Sequence, residues 1–184
     1  MRALMTAMCL LSIVAGPGSA GPQQPARGGS RPPDIFFVPT SEAVADQMLQ
    51  LAGITARDVV FDLGSGDGRI LLLAAQKYGA RGVGIEIQPH LVERARQIAR
   101  EGEVTHKVQF IEGDLFTADL SEATLVTIYL SPTVNARLES KLRSELKPGT
   151  RVVSHQFTIG KWPPDKTIAG RDGTDLYLWT IPPR

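Results

Sequence analysis

Val59, Val60, Phe61 and Leu63 form a short apolar run that ends directly in Gly64-Ser65-Gly66-Asp67-Gly68, and Ile70 to Ala75 resume the apolar pattern at once. The order reads strand, glycine turn, helix. Glycines at alternate positions give a backbone that turns tightly and approaches a ligand closely, because no Cβ intrudes. The rest of the chain repeats the alternation. Val83, Ile85 and Ile87 predict a second strand, and Pro89 then opens a helix with Leu91, Val92, Ala95 and Ile98 on one face. Val108, Phe110 and Ile111 predict a third strand ending at Asp114, and residues 123–130 a fourth, apolar throughout as a strand covered on both faces should be. Val134, Leu138, Leu142 and Leu146 mark a helix stopped by Lys147-Pro148-Gly149, and Val152, Val153 and Phe157 a fifth strand. Two final strands, Lys166 to Ala169 and Asp175 to Ile181, flank the turn residues Gly170 to Gly173. Upstream, Val44, Met48, Leu51 and Ala52 predict an amphipathic helix capped by Thr40 or Ser41 and closed by Gly53. Such a chain folds as an α/β domain, a mostly parallel sheet with right-handed crossovers and an antiparallel terminal strand pair. Its ligand belongs beyond the carboxyl ends of the strands, at the switch point of the sheet.

Charge narrows the function. Lys plus Arg total 20 against 19 acids, so there is no global basic field to drive binding to nucleic acid, which is an unlikely partner. His90, His106, His155 and Cys9 are scattered, which gives no clustered metal-ligand spacing and predicts no metal site. Residues 1–20 carry Arg2 as their one charge, an apolar stretch from Ala3 to Val14 and the small triplet Gly18-Ser19-Ala20, the pattern of a cleaved signal peptide. The apolar stretch is shorter than the ~20 residues of a membrane span. Cleavage would remove Arg2 and Cys9, leaving a domain without cysteine. Residues 21–33 read as a flexible linker and residues 34–184 as the folded domain.

The glycine turn departs from the dinucleotide fingerprint G-x-G-x-x-G, since Arg69 stands where the third glycine would be. A pyrophosphate would also sit badly beside Asp62 and Asp67, whereas two carboxylates suit a ligand with a positive end. Asp62, Gly64, Gly66 and Gly68, with Ser65 between them, resemble the first motif of the class I S-adenosylmethionine-dependent methyltransferases, which implies their Rossmann-like fold. In that family the loop meets the aminoacyl part and ribose of the cofactor. Glu86, followed by Ile87 in Gly84-Ile85-Glu86-Ile87, matches the acid that receives both ribose hydroxyls; Asp114 matches the acid that receives the adenine amino group, and Leu115 would cover the base. Phe37-Val38-Pro39-Thr40, Asp62 to Arg69, Asp114-Leu115-Phe116 and Ala118-Asp119-Leu120-Ser121 further resemble the small methyltransferases related to the ATP synthase c-subunit lysine methyltransferase. That resemblance implies methyl transfer to a protein lysine, and hence a protein substrate.

A lysine must present a neutral lone pair, and a slot of low polarity favours that form. Tyr129 with Ser131 and Pro132, just after the fourth strand, are the candidates for positioning the acceptor, and Phe36, Phe37, Pro39 and Thr40 for closing over it. Tyr129-Leu130-Ser131-Pro132 lacks the Asn-Pro-Pro-Tyr or Asp-Pro-Pro-Tyr tetrapeptide of many enzymes that methylate nucleobases or glutamine. His155 is read either as an aid to proton removal or as a hydrogen-bonded strand histidine, the latter preferred because alkyl transfer does not require a base. Trp162, before Pro163 and Pro164, lines an acceptor groove or anchors a loop, and Arg69 orients the loop carboxylates. Two other functions stay open: methylation of a small molecule, and a non-catalytic S-adenosylmethionine-binding sensor or scaffold in the cell envelope. The signal pattern predicts an exported, periplasmic or envelope-associated protein close to a membrane, while a donor made in the cytosol argues for an anchored inner-face or cytoplasmic domain.

Overall fold

The computed structural model describes residues 37–183. The stretches read as signal peptide (1–20) and linker (21–33), with Phe36, lie outside the described residues. The order is α1 (Glu42–Leu51), β1 (Val59–Leu63), α2 (Arg69–Tyr78), β2 (Arg81–Glu86), α3 (Pro89–Glu101), β3 (Val108–Glu112), β4 (Leu125–Ile128), α4 (Pro132–Glu145), β5 (Arg151–His155), β6 (Lys166–Ala169) and β7 (Asp175–Thr180). The strands form one seven-stranded sheet in the order β3-β2-β1-β4-β5-β7-β6. β1 to β5 pair in parallel, and β7 runs antiparallel to both β5 and β6. The expected mostly parallel sheet with an antiparallel terminal pair is what forms.

Period-two alternation sorts the strand residues between two cores. Val60, Phe110, Leu125, Val153 and Leu176 pack with α1, α2 and α3, while Phe61, Leu63, Val126, Ile128, Val152 and Trp179 pack with α4. Local chemistry starts the helices. Ser41, not Thr40, caps α1, its Oγ accepting from the Val44 N–H at 3.4 Å. Pro89 and Pro132 open α3 and α4, where a missing N–H costs nothing. None of these helices is long and apolar enough to cross a membrane among the described residues.

β2 and β7 stop one residue short of the expected Ile87 and Ile181, and β4 and β5 fall short of their apolar runs by more. β4 is confined to Leu125–Ile128, because Ala123 closes a turn through its N–H to the Leu120 carbonyl and Tyr129 lies beyond the ladder with β1 and β5. β5 ends at His155, so Phe157 is not a strand residue; the chain reverses at Gln156, whose φ is 67°. Trp162 anchors its loop: its carbonyl accepts from the indole N–H of fully buried Trp179 at 3.1 Å.

Candidate active site

The chain leaves β1 toward β2 and β3, then returns to place β4 on β1's other side, so the carboxyl ends of β1 and β4 flank the switch point. A cavity of about 320 Å³ opens there. Its walls include Asp62, Gly64, Ser65 and Asp67 from β1 and its turn, Glu86, Ile87 and Gln88 from the end of β2, and Asp114 and Leu115 after β3. Tyr129, Leu130 and Ser131 after β4, Gln156 and Phe157 after β5, and the segment Phe37–Thr40 complete it. Three acids at the ends of three successive strands therefore meet, as their spacing predicts. Gly66, Gly68, Pro132, His155 and Trp162 do not line the cavity.

Each acid is held differently. Asp62 pairs in register with Thr127, whose hydroxyl donates to Asp62 Oδ1 at 2.7 Å. Burial pushes the Asp62 carboxyl up to about 7, against the Thr127 hydrogen bond and with help from the charges of Glu86 and Asp67. Glu86 receives the Gly66 N–H on Oε2 at 3.0 Å and the Gln88 N–H on Oε1 at 2.9 Å, so both oxygens are aimed by backbone. The Phe116 N–H donates to Asp114 Oδ1 at 2.9 Å. Burial works to raise Asp67, and Arg69 overcomes it: the guanidinium grips both carboxylate oxygens at 2.9 and 2.7 Å and holds Asp67 below the usual carboxylate range.

Arg69 also donates to the Thr40 carbonyl at 3.0 Å, tying the segment Phe37–Thr40 to the glycine turn. Phe37 lies over Gly66: a Cβ at Gly66 would stand 2.2 Å from the Phe37 ring. Gly66 also has φ 55°, a conformation that costs an L-residue about 1 to 2 kcal/mol. Gly66→Ala is therefore expected to lower stability by at least about 1 kcal/mol in urea unfolding and to displace Phe37. Adding Phe37→Ala should recover the part due to the clash, and independent, additive losses from the two substitutions would refute this packing.

The residues expected to position an acceptor separate into two groups. Tyr129 lines the cavity, donates its hydroxyl to Gln156 Oε1 at 3.0 Å and stacks against His155 with ring centroids 4.0 Å apart. Ser131 lines the cavity, but its Oγ accepts from the Val134 N–H as the α4 cap, and Pro132 is the first residue of that helix. His155 is buried behind Tyr129; Nε2 meets Asp172 and Thr174 at 2.9 and 2.8 Å, and Nδ1 meets the Thr40 hydroxyl at 3.4 Å. Burial lowers the imidazole below its ordinary value despite the opposing Asp172 carboxylate. This is the hydrogen-bonded strand histidine of the preferred reading. No motif marks Gln88, Gln156 or Phe157 as site residues; the signal for Gln156 lies in a turn held by distant residues.

The arrangement fits a cationic nucleoside. Asp62, Asp67, Glu86 and Asp114 face one basic residue, Arg69, among the described residues lining the cavity, and the remaining wall is largely apolar. Gly64 lies so close to Leu130 that a Cβ there would stand 2.6 Å from Leu130 Cδ2, and the buried Ser65 hydroxyl has no partner among the described residues.

Comparison with known proteins agrees. The family model described as the ANTKMT methyltransferase domain matches residues 62–166. A protein-lysine N-methyltransferase of Saccharolobus islandicus (strain REY15A) is 42% identical over 153 residues, covering 81% of this chain and 95% of that protein. The Xenopus laevis lysine N-methyltransferase named for the ATP synthase c-subunit is 36% identical over 78% of this chain, which spans 62% of that protein's length. Among solved structures, a Salinibacter ruber protein described as an RNA methyltransferase, in complex with S-adenosyl-L-homocysteine, is 54% identical with a TM-score of 0.77. That match covers 80% of this chain and 95% of the other.

Proposed function

We propose that this chain, which belongs to the ANTKMT methyltransferase domain family and is an S-adenosylmethionine-dependent methyltransferase, methylates the side-chain amine of a lysine in a protein. The observation that carries the reading is the division of the cavity. Its carboxylates gather on Asp62, Asp67, Glu86 and Asp114, while Tyr129, Gln156, Phe157, Pro39 and Thr40 line it without a charge.

When bound, S-adenosylmethionine supplies a methyl group already activated by the sulfonium charge. Glu86, with both oxygens aimed by the Gly66 and Gln88 amides, would receive the ribose hydroxyls. Asp114 would receive the adenine amino group, with Ile87 and Leu115 against the base, and Asp62 would face the cationic aminoacyl end; all four line the cavity. Arg69, by holding the Thr40 carbonyl, keeps the segment Phe37–Thr40 over the cavity and limits water. The uncharged walls around Tyr129 favour the neutral amine over the ammonium. Alignment and desolvation then supply most of what an alkyl transfer needs from the protein.

Four carboxylates, Asp62, Asp67, Glu86 and Asp114, outnumber the one basic residue, Arg69, among the described residues lining the cavity, and this balance weighs a protein acceptor above the RNA named for the Salinibacter structure. Membrane proximity and export, read from residues 1–20, belong to the same proposal. Purified full-length chain with radiolabelled S-adenosylmethionine is offered membrane protein, soluble protein and RNA from a methylation-poor extract. Label in a discrete protein band, methyl-lysine on hydrolysis and loss of both with Glu86→Ala are expected. Label in RNA alone, or in none of the three fractions, overturns the lysine reading.

A further inference from the structure

We propose that Gln156 is the specificity-determining residue of the acceptor slot, where its carboxamide and the Tyr129 hydroxyl together receive the N–H groups of a neutral primary amine; this rests on the lysine reading above. Gln156 and Glu103 are the non-glycine residues with positive φ among those described, and Gln156 lies on the cavity wall. Backbone held in a sparsely populated region persists only where its surroundings over-determine it.

Here the surroundings are unusually committed. The Gln156 N–H makes the last bond toward β7, to the Asp175 carbonyl at 2.7 Å, and the Phe157 N–H folds back to the His155 carbonyl at 2.8 Å. Asn135, fully buried on α4, donates to the Phe157 and Thr158 carbonyls at 3.2 Å each and to Ser154 Oγ at 3.3 Å. Ser154 in turn donates to the Phe157 carbonyl at 2.6 Å. Asn135 Oδ1 is left buried without a partner among the described residues, a cost tolerated in exchange for this turn. Continued extension of β5 would carry residue 156 onward along the ladder; the reversal instead sets its side chain on the cavity wall beside Tyr129.

The chemistry of the pair selects the ligand. Tyr129 gives its proton to Gln156 Oε1, and its ring is fixed against His155. The phenolic oxygen then keeps its lone pairs and Oε1 keeps a second one. Acceptor lone pairs on two neighbouring uncharged oxygens match the N–H groups of an amine that has lost its proton. A carboxylate at the same place would instead hold the ammonium, which has no lone pair to offer the methyl group.

Two variants test this. Gln156→Gly suits a left-handed residue, so unfolding temperature should be unchanged or higher and S-adenosylmethionine affinity by calorimetry within about twofold. The initial rate of methyl-lysine formation in extract protein should fall about tenfold or more, the loss expected for hydrogen bonds to the reacting group. Gln156→Glu should move the alkaline rise of the rate about one pH unit higher, because a nearby carboxylate stabilises the ammonium. A purely structural role would not shift that profile. If the native chain forms methyl-lysine while Gln156→Gly keeps its rate, or Gln156→Glu keeps its pH profile, the assignment to Gln156 is overturned and the lysine reading stands. If the native chain forms no methyl-lysine, both fall together.

Discussion

A Glu86→Ala variant is expected to bind S-adenosylmethionine at least about a hundredfold more weakly than the native chain. Hydrogen bonds to a charged group contribute about 1.5 to 3 kcal/mol each, and about 1.4 kcal/mol is a factor of ten in affinity. Glu86 is 6% exposed and stands at the last residue of β2, next to the cavity. Its two oxygens already take the Gly66 and Gln88 amides, so the carboxylate cannot turn away from the position it holds. Alanine removes the acceptors proposed for the ribose and also leaves the Gly66 and Gln88 amides without this partner. Glu86→Gln separates these effects, because its amide nitrogen must face one of the two backbone N–H groups and keeps one acceptor at the other. It should recover part of the fold's stability while recovering little affinity. Calorimetric titration of both variants, with thermal unfolding in parallel, checks the argument; affinity within about threefold of the native value for Glu86→Ala would remove Glu86 from the cofactor site.

The acids of this site are legible in the sequence because each lies at or just past the carboxyl end of a strand whose apolar pattern is local. Asp62 is the second-last residue of β1, Glu86 the last of β2 and Asp114 the second after β3, and parallel strands in register bring these ends to one edge. The helix starts are equally local, being written in Ser41, Pro89 and Ser131-Pro132. What escapes local pattern is tertiary. Phe157 continues the alternation of Val153 and His155 and so reads as strand, yet Asn135, twenty-two residues earlier, takes its carbonyl and ends β5 at His155. That one displacement is why Gln156 reads as part of a strand rather than as a wall of the site. His155 shows the same limit, since its partners Asp172 and Thr174 sit in the β6–β7 turn and no spacing rule relates them to it. Tyr129 is legible as a cavity residue from its position after β4, but its hydroxyl's partner becomes visible only with the turn at Gln156.

Affinity for S-adenosylmethionine is expected to rise about tenfold per pH unit between about pH 5 and 7 and then level off, as one proton is released on binding. The unbound Asp62 carboxyl is raised to about 7, first by burial and then by the charges of Glu86 and Asp67, with Thr127 working against them. A raised carboxyl means that the folded, ligand-free chain holds its proton more tightly than the unfolded chain does. Stability attributable to Asp62 is therefore complete below the ordinary carboxylate value of 3.8 and is lost as pH rises through about 7. A cationic ligand reverses the balance. It favours the ionised carboxylate, pulls the carboxyl back down and must expel the proton wherever Asp62 is still protonated. His155 lies behind Tyr129 with its imidazole already lowered, so a small parallel contribution from it is separated by Asp62→Asn, which keeps an acceptor for Thr127 and removes only the titration. That variant should show a flat profile, with its largest deficit at and above pH 7. Neutral methylthioadenosine, which lacks both cationic centres, should bind the native chain no better at pH 7 than at pH 5. Calorimetry in buffers of different ionisation enthalpy reads the released proton directly; an equal pH slope for Asp62→Asn and the native chain would mean that Asp62 does not face the cationic end of the cofactor.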